Sequence, residues 1–190
     1  MQSNLQEDQQ FNNKDYSEKD LSDKEFVNCE FTSCNFSKTN LTSCTFMDCS
    51  FSDCNLALAS LKDTGFKNCN FSNCKMVGMD FSVCNDFLFA VNFTGCNLDY
   101  STFFRKKMKK TKFIDCSLKE VDFAEVDLTE AVYKNCELHG ATFQRTILEK
   151  ADFRTAKNYL FDPELNRIKK AKFSTSGIAG LLTKYNLEIE

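Results

Sequence analysis

Tryptophan is absent, proline and histidine occur once each, and glycine is held to six residues. A chain that turned through Gly and Pro loops would need more of both. Frequent turning here must therefore lie in a regular backbone path. The single histidine, His139, leaves little scope for a serine or cysteine nucleophile with an imidazole base. No Gly-rich phosphate loop is present. No apolar run approaches the roughly 18 residues of a membrane helix. Residues Met1 to Gln10 are polar and lack an apolar signal core, which predicts a cytoplasmic protein. Charge of one sign is lacking too: 24 Lys and Arg against 27 Asp and Glu give −3, which argues neither for nor against nucleic acid.

What is abundant is Phe, with 20 residues, and Cys, with 11. Steps of five from Phe11 reach Phe81; after a jump of seven they resume at Leu88 and reach Phe153. All 29 positions are Phe, Leu, Met or Tyr. Neither a helix of period 3.6 nor a strand of period 2 keeps such a series on one side. A chain that builds one edge of a square every five residues does, with the large residue inside. The residue two before each centre also points in and must be small: Cys29, Cys34, Thr39, Cys44 and Cys49 are examples. Cys34, Cys54 and Cys74, then Cys96, Cys116 and Cys136, are spaced by 20, with 22 between the two sets. That spacing predicts coils of 20 residues and a column of six thiols, with Cys29, Cys49 and Cys69 in a second column.

The repeat resembles the pentapeptide-repeat family, whose motif is roughly A-(D/N)-L-x-x. Ala151-Asp152-Phe153-Arg154-Thr155 carries it, as does Ser52-Asp53-Cys54-Asn55-Leu56 with Cys in the small place. The resemblance implies an all-β, right-handed quadrilateral β-helix. About seven coils are expected over 11–157, after a flexible 1–10 and before a C-terminal tail over 158–190. Gln9, Lys14, Lys19 and Lys24 are too large or charged for a closed bore, so the first coil is expected to be a partial cap. The thiols fit packing as small apolar side chains better than metal binding, because zinc sites converge pairs of ligands on one point. No metal or cofactor is expected.

Two breaks mark candidate contacts. The insertion around Cys84-Asn85-Asp86-Phe87 must bulge from a corner, leaving Phe87 or Phe89 outside. In the basic run from Arg105 to Lys112, Lys106 takes an inward position, so the wall is expected to distort there or the side chain to escape through a corner. Lys107, Lys109 and Lys110 fall beside Phe87 and Phe89. Two readings stay open: a patch for an acidic partner, or a solvated strip neutralised by Asp127 and Glu130 of the next coil.

In the tail, Asp162-Pro163 predicts a capped helix through about Lys170, and Ala171-Lys172-Phe173-Ser174 resembles one more repeat edge. Ser176 is expected to cap a second helix with Ile178, Leu181, Leu182 and Tyr185 as its apolar stripe. Leu187 and Ile189 alternate as in a strand. The stripe is a cap for the coil end or a dimer contact. The tail is similar to those of Qnr-type quinolone-resistance and microcin immunity members, which implies a homodimer through C-terminal elements. The expected function is a non-enzymatic protein-binding scaffold. The alternative implied by resemblance is a DNA mimic that binds DNA gyrase or topoisomerase IV and protects it from quinolones or toxins. Direct nucleic-acid binding and a membrane are not expected.

Overall fold

The computed structural model describes residues 4–188. The chain is a parallel β-solenoid, and the five-residue step is its construction rule. Face A carries β1 (Leu5–Glu7), β3 (Glu25–Val27), β5 (Thr45–Met47) and β7 (Gly65–Lys67). Face B carries β2 (Gln10–Asn12), β4 (Glu30–Thr32), β6 (Ser50–Ser52), β8 (Cys69–Ser72), β9 (Val91–Thr94), β10 (Lys112–Ile114) and β11 (Val132–Lys134). Every pairing is parallel, with Phe26 beside Phe46, then Phe66, and Phe31 beside Phe51, then Phe71. Faces C and D are ladders of single bridges, such as Asn35–Asn55–Lys75–Asn97 and Asp80–Thr102–Asp122–Thr142.

The centres are buried as the period requires. On face B, Phe11, Phe31, Phe51 and Phe71 stack with ring centroids 4.8 Å apart, the spacing of neighbouring strands. The small inward residues do more than fit. The Cys54 thiol donates to the Phe31 carbonyl at 3.4 Å, and the Thr64 hydroxyl to the Leu41 carbonyl at 2.7 Å. Each such donor ties a coil to the one before it. Cys, Thr and Ser suit the place because they are thin and carry a donor.

The motif's third feature, Asp or Asn before the centre, is a turn device. Asn35, Asn55, Asp80 and Asp122 each accept the backbone N–H two residues on, within the range 2.9–3.2 Å. Two residues after most centres the chain enters the left-handed region, as at Asp48 (φ 54°), Leu58 (φ 59°) and Tyr100 (φ 63°). Corners are therefore made largely without glycine, and the ladder holds them there.

Several expectations need correction. Within the expected flexible 1–10, Leu5–Glu7 is instead a strand paired with Glu25–Val27. Nor does the stack stop near 157 after about seven coils: Ile147 pairs with Arg167 and Asp152 with Lys172. The expected extra edge at Ala171–Ser174 is present, with Phe173 stacked on Phe153 at 5.4 Å. No α-helix forms among the described residues. Asp162 does cap Pro163–Leu165, but as a single 3-10 turn. Residues beyond it join the ladder, whose open edge satisfies their backbone groups better than a short isolated helix would. The expected second helix is replaced by 3-10 turns at Ile178–Leu181 and Thr183–Tyr185. Ser176 caps neither; the first is preceded by Gly177, whose N–H donates to Ser174 Oγ at 3.1 Å. Leu187 lies outside any strand, and Ile189 lies outside the described residues. Among the described residues no helix is long and apolar enough to cross a membrane.

Candidate interaction surface

The two-residue insertion is organised around one buried cation. Lys106 is 3% exposed and fills an inward position. Its side chain does not leave through a corner. Its ammonium donates to the Cys84 carbonyl at 2.5 Å and to Asp86 Oδ1 at 2.6 Å, and it lies 5.6 Å from the Phe89 ring centroid. Asn85 Oδ1 accepts the Phe87 N–H at 2.8 Å, closing the turn at the bulge.

That arrangement decides which aromatic goes where. Phe89 turns inward at 8% exposure, while Phe87 stands 66% exposed and Leu88 63%. Leu88, expected as a centre, is therefore displaced by its neighbour. The extra length rotates the chain so that the larger ring plugs the bore beside Phe81. Lys67 from the preceding coil lies 5.3 Å from the Phe87 ring centroid. The sequence reading missed Leu88, Lys67 and Asp86. The Asn-Asp pair opening the insertion was the available signal for the last.

The basic run is partly neutralised by the next coil. Lys109 reaches Asp127 at 3.4 Å, Lys110 reaches Glu130 at 3.9 Å, and Lys150 reaches Glu130 from the other side at 2.9 Å. Hydrogen bonding from Lys150, with Lys110 behind it, holds the Glu130 carboxyl below the usual range. Lys107 is exposed and in no ion pair among the described residues. Lys107, Lys109 and Lys110 share face A with Phe87, whereas Phe89 is inside.

At the other end, the tail folds over the coils. Leu181 is buried, Phe161 donates its N–H to the Gly180 carbonyl at 3.2 Å, and Lys184 bridges Asp162 at 2.8 Å and Glu164 at 2.7 Å. Leu182 is partly covered, while Ile178 and Tyr185 stay about half exposed. The structure thus uses part of the expected stripe as a cap.

The eleven cysteines are free and buried. Burial pushes the Cys44 and Cys49 thiols up to about 11, and it raises Cys84 against the opposing pull of Lys106. Among the described residues no cluster of three or more His, Cys, Asp or Glu is arranged to hold a metal. His139 is exposed, its backbone N–H bonded to Glu137 Oε1 at 3.1 Å. The insertion thus combines a pinned bulge with a charged face.

A search of the curated proteins finds no match. Among solved structures, two trypsin-treated variants of QnrB1, described as a plasmid-mediated fluoroquinolone resistance protein, share this fold. One is 17% identical over 98% of this chain and 97% of that one, with a TM-score of 0.59. The other is 16% identical over 98% and 99%, with a TM-score of 0.58. HetL from Nostoc sp. strain PCC 7120, a protein involved in heterocyst differentiation regulation, is 16% identical over 90% of this chain and 86% of that one, with a TM-score of 0.41. Family models described as "Pentapeptide repeats (8 copies)" match residues 20–48 and 49–85, and one described as "Pentapeptide repeat region" matches 86–153. With five-residue edges, small inward donors and Asx-turned corners running through those same segments, the chain belongs to the pentapeptide-repeat family.

Proposed function

We propose that this protein is a non-enzymatic, protein-binding scaffold whose working surface is face A around the insertion. One observation carries the reading: a buried ammonium fixes a bulge that holds Phe87 and Leu88 in solvent on a wall whose other outward residues are mostly polar or charged. Order of that kind lowers the entropy lost when a partner docks. Aromatic anchors beside charged residues are what such contacts use. Eleven buried cysteines, none of them in a disulfide, support a cytoplasmic location. The test is a pull-down from lysate with the wild type and with Phe87→Ser/Leu88→Ser. Loss of specific partners is expected, and an unchanged set of partners would refute the choice of face.

A second reading is a DNA mimic acting on DNA gyrase or topoisomerase IV. It is favoured by the shared fold with QnrB1, itself described as a fluoroquinolone resistance protein. Seven lysines and arginines on the outer wall of face A after the insertion weaken it, because a phosphate mimic needs a continuous acidic stripe. A supercoiling assay with and without a quinolone decides it; neither inhibition nor protection would remove the mimic. The tail resemblance also suggests a homodimer joined end to end through Ile178, Leu182 and Tyr185. Burial of Leu181 in the cap leaves that contact a smaller apolar area.

A further inference from the structure

The insertion sits at the midpoint of face A. Among the described residues four rungs precede it, at Leu5, Glu25, Thr45 and Gly65, and four follow, at Lys107, Asp127, Ile147 and Arg167. Charge on this wall is divided by the same midpoint. The outward residues of the first four rungs include Glu7, Asp8, Glu25 and Asp48 against the single cation Lys67. None of those four carboxylates is in an ion pair among the described residues. The last four rungs carry seven cations and three carboxylates. The inner charges of that half are already matched within the chain, Lys109 with Asp127 and Lys110 and Lys150 with Glu130. Lys169 and Lys170, on the last rung, are exposed and in no ion pair among the described residues. Face A therefore has an acidic end, an apolar centre and a basic end.

We infer that face A pairs with face A of a second copy, antiparallel, about a two-fold axis through the Phe87–Leu88 bulge. The inference rests on the binding reading above and names the occupant of that site. A two-fold contact is self-complementary: each patch meets its mirror position on the partner. Turning one copy end for end lays Phe87 and Leu88 on their counterparts. The same rotation brings Glu7 and Asp8, on the first rung of each copy, opposite Lys169 and Lys170, on the last rung of the other. An apolar centre with a charged rim is the usual anatomy of such an interface. An arbitrary acidic or basic partner would match only one end. At about 4.8 Å per rung and a width of about 15 Å, the wall offers roughly 600 Å² per copy, at the low end for a specific contact. The pairing is accordingly weak and steered by charge.

Sedimentation equilibrium of the full chain, from low micromolar to millimolar concentration and in low and high salt, tests it. The wild type is expected to form a reversible dimer that weakens as salt rises. Glu7→Lys/Asp8→Lys and Lys169→Glu/Lys170→Glu are each expected to weaken it by about tenfold or more. These sites are exposed, so circular dichroism should be unchanged. Equimolar mixing of the two reversed proteins should restore a dimer, and so should all four substitutions in one chain. Phe87→Ser/Leu88→Ser should abolish it, while Ile178→Ser/Tyr185→Ser should not. A dimer lost with the tail variant and indifferent to charge reversal would overturn the pairing, as would failure of the mixture to associate. A monomer at every concentration whose Phe87→Ser/Leu88→Ser variant still loses lysate partners would overturn self-pairing and leave the binding reading intact. If that variant also keeps its partners, both fall.

Discussion

Cutting the Lys106–Asp86 link is the sharpest perturbation, because its two ends lie in different surroundings. The Lys106 side chain is 4% exposed and the Asp86 side chain 75%. Removing one partner of a fully buried ion pair costs about 3–5 kcal/mol. Here water already reaches the carboxylate, so the attraction is screened, and the Cys84 carbonyl still accepts from the ammonium after Asp86 is gone. Asp86→Ala should therefore destabilise by about 1–2 kcal/mol. Lys106→Met removes the buried charge and refills the bore with an unbranched apolar chain. It orphans the Cys84 carbonyl, so its net effect on global stability should lie within about 1 kcal/mol of zero. Local order is a different matter: either change should speed amide hydrogen exchange over 85–90 without affecting the coils on either side. Urea unfolding of both single variants and the double variant gives the coupling energy, expected at about 1–2 kcal/mol. If Asp86→Ala is neutral, exchange over 85–90 is unaltered and Lys106→Met costs several kcal/mol, then Lys106 serves as bulk in the bore. The account of the pinned bulge would then be wrong.

Other outcomes follow from single contacts. Tyr133 is fully buried between Phe113 and Phe153, and its hydroxyl has no hydrogen-bond partner among the described residues. Tyr133→Phe should raise stability by about 1 kcal/mol in a denaturant titration, and a loss would reveal a partner. A Cβ at Gly180 would lie 2.1 Å from the Tyr159 carbonyl oxygen. Gly180→Ala should therefore cost about 1–3 kcal/mol and expose the tail to limited proteolysis; an unaltered digestion pattern would argue against the cap. The Cys44 and Cys49 thiols stand at about 11 in the fold against an ordinary 9.0. A raised folded value means the protonated form is favoured in the native state. Stability from these groups is thus complete below pH 9 and falls as pH climbs to about 11, which chemical denaturation across that window should show. At pH 8 the native protein should react with a thiol reagent far more slowly than the unfolded chain. Rapid labelling of the native protein would contradict the closed bore.

The fold was legible in the sequence because a solenoid repeats its own local rule. Phe31, Phe51 and Phe71 each meet the same neighbours one coil away, so one five-residue pattern states the packing of the coils. The thiol column and the Asx corners belong to that rule. Places where the rule stops are not legible in this way. Asp162-Pro163 carries a true cap signal, yet the chain after it finds an open ladder edge, and a helix of that length cannot compete with it.

The candidate surface divides in the same way. The residue string alone determined that a bulge exists near Phe87 and that lysines gather nearby, since both are interruptions of a count. Only the tertiary structure decided that Phe89 turns in while Phe87 and Leu88 turn out, because the choice depends on Lys106, twenty residues beyond Asp86 and one coil away. The acidic-to-basic polarity of face A is likewise invisible along the chain. Those charges fall on one wall only after each coil has closed, because residues about twenty apart become neighbours and residues five apart face different ways.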